Sequence, residues 1–148
     1  MLKRKDMLIL SYIRQNARQR LTTISRRTHI PVTTIYDNVR KYEKSFILKH
    51  ASIIDFRKLG FGTKMNLALK AGAIRGELMT YLQEHPNINS LYRLDSEYDL
   101  LAELVFRDTK EANEFVDNIK KRFPIEKSLV MNITDDIKRE EFLSKFTS

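Results

Sequence analysis

The chain has 148 residues, 42% of them hydrophobic, with no cysteine and a net charge of +8. That length suits one domain or two small ones, and the apolar share supports a packed core rather than disorder. The lack of cysteine excludes disulfides, thiolate zinc sites and cysteine nucleophiles. No apolar run reaches the length of a membrane span and nothing after Met1 reads as a signal peptide, so a soluble, cytoplasmic protein with no membrane partner is expected.

The charge is unevenly placed. Residues 1–60 carry 14 Lys/Arg against 4 Asp/Glu, a net of +10, whereas 61–148 carry 13 against 15. A basic half joined to a near-neutral one predicts a polyanion-binding module and a module with another task. A basic membrane-surface helix fits less well, because the cations are spread over several short segments.

In chain order, Lys5 to Gln15 places Met7, Leu8, Leu10 and Ile13 at helical spacing, with Ala17 following, and predicts a first amphipathic helix. Leu21 to Lys44 predicts two short helices with a corner between them. The first spans Thr22 to Thr28, with Ile24 inward and Arg26 and Arg27 outward. Pro31 breaks the period, since it lacks an N–H and disfavours helix at the residue before it. Thr33 or Thr34 then caps a new helix, with Thr34-x-x-Asp37 patterned like a capping box. Ile35, Val39 and Tyr42 form one buried stripe, leaving Tyr36, Asn38, Arg40 and Lys41 outward.

A braced basic helix of this kind is what a DNA major-groove reader requires. An ordinary helical hairpin with a solvated charged face has the same pattern; the +10 setting favours double-stranded DNA as the partner. In that reading Thr33, Thr34, Tyr36, Asp37, Asn38, Arg40 and Lys41 face the groove. Arg18, Arg20, Arg26, Arg27 and Lys44 meet phosphates.

Ile47 to Phe56 is rich in β-branched and aromatic residues and predicts a strand leaving the helical unit. Leu59 to Gly62 interrupts both periods and predicts a boundary, giving domains 1–60 and 61–148. Beyond it, Thr63–Lys70, Ile88–Leu94, Leu100–Phe106 and Ile125–Ile133 predict strands. Ala73–His85 predicts a helix, and Asp108 to Glu111 a capping box opening another that stops before Pro124. The order β-α-β-β-α-β is the ferredoxin-like arrangement. The fold class expected is α+β: a winged-helix-like, three-helix helix-turn-helix domain followed by a ferredoxin-like domain. Asp136 to Phe146 predicts a short C-terminal helix, with Ile137, Phe142 and Phe146 on one side.

Helices cover one face of such a sheet, yet Leu100, Leu101, Leu104, Val105 and Phe106 place apolar residues on both. Self-association through the sheet would bury the second face, and a two-fold dimer would present two reading helices to a palindromic site.

No enzyme, metal or cofactor chemistry is expected. His29, His50 and His85 lie in separate elements, capping explains Glu111, Glu114, Asp135 and Asp136, and no phosphate-cradling glycine loop is present. The polar turn from Asp95 to Asp99 is either a plain hairpin loop or a recognition site. In the second case Ser96, Glu97, Tyr98 and Asp99 would hold a small zwitterion, with the acidic groups meeting its ammonium and backbone N–H groups its carboxylate.

Several short motifs, in order, resemble the Lrp/AsnC (leucine-responsive, feast/famine) transcription regulators over nearly the full length. Asp6-x-x-Ile9-Leu10 followed by Asn16-Ala17-Arg18 is similar to the family's opening helix and its turn. Ile24 to Glu43 resembles its helix-turn-helix, Leu59-Gly60 the close of its linker, and Tyr98-Asp99-Leu100 its effector-domain loop. The resemblance implies a DNA-binding regulator dimerised through the C-terminal sheet, often assembled to octamers, with amino-acid effectors bound between dimers near that loop. Four positions depart from the pattern. His29 and Ser45 stand where glycine is usual, Asn38 where arginine is common, and Ser96 replaces the loop glycine. A small-molecule sensor whose helical domain binds a protein, or a sequence-tolerant DNA-compacting protein, are the alternative functions.

Overall fold

The computed structural model describes residues 2–146. The chain divides into two compact units, one running up to Ile53 and including the residues from Ile137 on, the other spanning Ile54–Asp136. Among the described residues no helix is long and apolar enough to cross a membrane.

The first unit contains α1 (Arg4–Gln15), α2 (Leu21–Thr28) and α3 (Val32–Ser45). Its core is Ile9, Ile24, Ile35 and Tyr42, with Leu10, Ile13, Leu21, Ile30 and Val39 packed around it. Ile9, rather than the expected Met7 or Leu8, is the fully buried apolar residue of α1, and Ala17 lies exposed in the turn beyond. Asp6 ties α1 at both ends of its carboxylate. One oxygen accepts the Lys3 backbone N–H at 2.9 Å, capping the helix, and the other accepts the buried Tyr42 hydroxyl from α3. These hydrogen bonds hold the Asp6 carboxyl below its ordinary range, that from Tyr42 having the larger effect. Burial, with the adjacent carboxylate, pushes the Tyr42 phenol well above its usual range, so it remains a donor.

α2 ends on His29, whose φ of 60° is the left-handed conformation that glycine adopts most readily; its N–H donates to Ser25 at 2.8 Å. Histidine therefore performs the glycine's task here. α3 begins two residues earlier than expected. Pro31, already restricted to a suitable φ, takes the N-cap position, so Thr33 and Thr34 lie inside the first turn and the Thr34–Asp37 capping box is not formed. At the far end Ser45 is still helical and Phe46 follows with φ −106°, so no left-handed turn arises where a glycine was expected.

Two further expectations fail. The expected strand Ile47–Phe56 does not form: among the described residues no segment pairs with the backbone of 47–55, Phe56 opens a short 3-10 turn, and Leu48 and Ile53 are left exposed. The Asp136–Phe146 helix is also absent. Glu140 and Leu143 have positive φ, and the carbonyls of Phe142 and Ser144 accept from Arg14 (3.0 Å) and Gln15 (2.6 Å) of α1. Arg14 also pairs with Glu140 at 2.8 Å. Tertiary hydrogen bonds thus replace the local ones, and Ile137 and Phe142 stand 92% and 87% exposed.

The second unit is a four-stranded antiparallel sheet of β1 (Thr63–Lys70), β2 (Ile88–Arg93), β3 (Leu100–Phe106) and β4 (Lys127–Ile133), ordered β2-β3-β1-β4. The connecting helices are α4 (Arg75–Glu84) and α5 (Thr109–Arg122). Asp108 caps α5 by accepting the Glu111 N–H at 2.9 Å, as the motif predicts. Met65, Leu67 and Leu69 alternate with outward residues and join Leu100, Ala102, Leu104, Leu78, Leu82, Phe115 and Ile119 in one core. Each of the Leu, Ile, Met and Phe side chains contributes about 1.5–3 kcal/mol by leaving water.

Cross-strand register defines the opposite face. Tyr92, Leu101, Ala68 and Leu129 form one rung across all four strands, and Glu103, Asn66 and Met131 fall on the next. Neither α4 nor α5 packs on these positions. Tyr92 and Leu129 are 56% and 44% exposed.

Replacing Tyr42 by Phe should destabilise the helical unit by about 1–2 kcal/mol at neutral pH, because a buried charge-assisted hydrogen bond is lost. A lowered folded-state carboxyl stabilises above its unfolded value, here 3.8, and ceases to as pH falls through the folded value. Thermal melts from neutral to acid pH should therefore give a constant gap between wild type and Tyr42→Phe that narrows below that point.

Candidate nucleic-acid interface and ligand-domain loop

α3 carries the densest set of predicted contacts. Ile35, Val39 and Tyr42 anchor one side to the core, which forces Thr33, Asp37, Arg40 and Lys44 into a single outward ridge at i, i+4, i+7 and i+11. All four are exposed, as are Tyr36 and Lys41 at the ridge's edges. Arg40 is not loose: its Nη1 donates to the Tyr36 hydroxyl at 3.1 Å, and its guanidinium lies 5.7 Å from that ring's centroid. A guanidinium restrained this way loses less freedom when it meets a base edge or phosphate. The sequence offered a signal for this pair in the i, i+4 spacing of Tyr36 and Arg40.

The other predicted groove residues differ. Thr34 is half-buried, and so is Asn38, whose Nδ2 is buried without an acceptor. Asn38 lies between the core stripe and the ridge, rather than pointing away as expected. Of the predicted phosphate contacts, Arg26 and Arg27 are exposed in the last turn of α2 and Lys44 in the last turn of α3. Arg20 is the N-cap of α2, and Arg18 lies in the exposed turn before it, its N–H held by Asn16 at 3.0 Å.

The turn between β2 and β3 is internally engaged. The Ser96 hydroxyl bonds both the N–H and the carbonyl of Tyr98 at 3.2 Å. Glu97 accepts from Lys127 at 3.0 Å, which raises the lysine's pKa, and that ammonium also sits 5.4 Å from the Tyr98 ring centroid. Asp99 accepts the N–H groups of Gly72 at 2.9 Å and Ala71 at 2.8 Å, and these bonds lower its pKa. Its carboxylate fixes the turn after β1, at Gly72 with φ 57°. Periodicity gave no hint of this pairing, since Asp99 and Gly72 are far apart in sequence.

The histidines occupy structural positions. His29 caps α2, and His50 stands 3.6 Å from Glu43. His85 packs 4.6 Å from the Phe115 ring and accepts the Asn87 N–H at its Nδ1; burial lowers its pKa and keeps it neutral.

Two family models match the chain: a winged helix-turn-helix DNA-binding model over residues 2–45, and the Lrp/AsnC ligand binding domain over residues 67–141. Among curated relatives, the HTH-type transcriptional regulator FL11 of Pyrococcus horikoshii is 27% identical over 116 residues, 77% of each chain. Among solved structures, LrpC of B. subtilis superposes with a TM-score of 0.84 at 18% identity, covering 93% of this chain and 98% of that one. A Neisseria meningitidis regulator solved as a complex with L-Met gives 0.85 at 17% identity over 94% of each. The outward ridge thus falls inside a matched DNA-binding segment, and the sheet inside a matched ligand-binding one, in the order that the sequence motifs implied. The chain belongs to the Lrp/AsnC family of transcription regulators, DNA-binding proteins rather than enzymes.

Proposed function

We propose that this regulator reads a palindromic operator as a cytoplasmic, two-fold dimer, and that a small molecule bound by its C-terminal domain modulates it. The observation carrying the DNA assignment is the exposed ridge Thr33–Asp37–Arg40–Lys44 on a helix braced by α1 and α2, within the half of the chain that holds all the excess positive charge. Tyr36, Arg40 and Lys41 would reach base edges from this ridge, with Thr33 and Asp37 beside them. Arg18, Arg20, Arg26, Arg27 and Lys44 would neutralise phosphates and release counterions. Asn38 contributes less, because its amide is turned partly inward.

The dimer reading rests on the uncovered sheet face. Tyr92, Leu101, Leu129 and Met131 form an apolar patch bordered by polar Asn66 and Glu103, and a second copy of the same face would bury it isologously. A dimer of this kind would carry two copies of α3. Larger assemblies, including octamers, would build on that dimer. The effector reading is supported by the family match over residues 67–141 and by the L-Met complex of the Neisseria relative.

Selection from a random duplex pool should return a palindromic consensus; recovery of no consensus would favour sequence-tolerant compaction. Arg27→Ala should weaken binding to all sequences alike and reduce the salt slope by about one, whereas Arg40→Ala should alter the preference between sites. Equal effects of both variants on every sequence would overturn that division of roles. For the sheet, Leu129→Glu should convert the dimer to a folded monomer by light scattering, since the residue is exposed in the single chain. An unchanged mass would place the interface elsewhere.

A further inference from the structure

Tyr36 and Arg40 stand one helical turn apart on the outward side of α3, and their contact is more specific than a shared face requires. Tyr36 is 50% exposed and does not belong to the helical core, so a large aromatic ring stands in water at the edge of a charged ridge. What the ring holds is Arg40. The Tyr36 hydroxyl accepts from Nη1 at 3.1 Å, and the guanidinium lies 5.7 Å from the ring centroid.

The direction of that contact matters. Helical side chains lean toward the N-terminus of their helix, and an acceptor carried one turn earlier draws the guanidinium further that way. In a helix-turn-helix, the N-terminal residues of the second helix are those that approach base edges. Arg40 lies in the third turn of α3, where an unrestrained arginine meets flanking phosphates as readily as bases. The Tyr36 bond brings its head group back toward the groove-facing turns.

The same bond leaves a reading edge open. A guanidinium carries more N–H donors than one hydroxyl can use, and Tyr36 engages only Nη1. Among the described residues Arg40 forms no other hydrogen bond and no ion pair; Asp37, one turn away on the same ridge, does not pair with it. The Nε–Nη2 edge therefore offers two parallel donors. In the major groove two adjacent acceptors occur on guanine, at O6 and N7. Adenine sets a donor beside its N7, thymine a methyl group beside its single acceptor, and cytosine presents a donor.

We propose that Arg40 reads a guanine in each half-site through its Nε–Nη2 edge, and that Tyr36 is a positioning residue holding the guanidinium for that contact. This rests on the reading of α3 as the DNA-facing helix, and it narrows Tyr36 from a base contact to the support of one.

The test uses the full chain and the duplex it selects from a random pool, with each guanine replaced in turn by 7-deazaguanine, which lacks the N7 acceptor. Wild type should lose about tenfold in affinity at one guanine per half-site. Arg40→Gln should bind the unmodified duplex about tenfold more weakly and be indifferent to the replacement at that guanine. Tyr36→Phe keeps the ring and loses the hydroxyl; it should reduce discrimination at that guanine about threefold or more and leave the other guanines unaffected. Added to Arg40→Gln, Tyr36→Phe should have no further effect, whereas a purely structural role would weaken binding again. Both residues are exposed, so thermal melts should match wild type. A consensus without guanine, or a guanine dependence that survives Arg40→Gln, would overturn the base assignment and leave DNA reading by α3 standing. Full discrimination in Tyr36→Phe would overturn the positioning role. A pool that yields no consensus would overturn both the proposal and the reading beneath it.

Discussion

The hydrogen bond from Tyr42 to Asp6 is the contact on which the reading end of this regulator depends. The recognition helix is anchored through Ile35 and Tyr42 in the core and the half-buried Val39 beside them, and apolar contacts by themselves are weakly directional. A buried hydroxyl donating to a carboxylate has one acceptable geometry, so it sets the rotation of α3 about its axis. That rotation decides which residues form the exposed ridge. Asp6 is simultaneously held by the Lys3 N–H, so the acceptor is itself fixed in position at the start of α1. A turn of α3 by one residue would carry Arg40 to the edge of the ridge and bring Lys41 toward its centre.

In the second unit the governing constraint is coverage. Two helices of ten and fourteen residues shield one face of a four-stranded sheet and do not cover the other, where Ala68 is buried among its strand neighbours while Tyr92 and Leu129 stand exposed. The residues there alternate in step with the core, so the same period that buries Leu67 places Ala68 outward, next to Leu101 and Leu129. Polar residues at all these positions would have made a soluble single sheet. The chain instead mixes apolar rungs with polar ones, a composition suited to a face that meets another protein surface.

The sequence made the elements legible where they are governed by one local period. The ferredoxin-like order, the cap at Asp108 and the buried Ile35–Val39–Tyr42 stripe all follow from spacing alone. Errors arose where a distant partner decides the outcome. Residues 47–55 have strand composition but nothing to pair with among the described residues. The tail after Asp136 has helical spacing, yet Arg14 and Gln15 capture its carbonyls. Asp99 reads as a loop carboxylate until its pairing with Ala71 and Gly72 is seen. Of the residues expected to point outward or into the groove from α3, Tyr36, Arg40 and Lys41 are exposed, whereas Thr34 and Asn38 are half-buried. The position of Asn38 beside the stripe is intermediate in angle, where period counting discriminates least.

How polar groups are satisfied separates scaffold from recognition surface. In the Ser96–Asp99 turn, the hydroxyl, both carboxylates and the Tyr98 ring already have partners in the fold, so a ligand there would have to displace existing bonds before making its own. On α3 the opposite holds. Arg40 is restrained against the Tyr36 ring while its hydrogen-bonding capacity stays mostly free. Restraint without saturation lowers the entropy cost of binding and keeps the electrostatic gain for an incoming partner. In the basic setting of the helical unit, that device suits a polyanion.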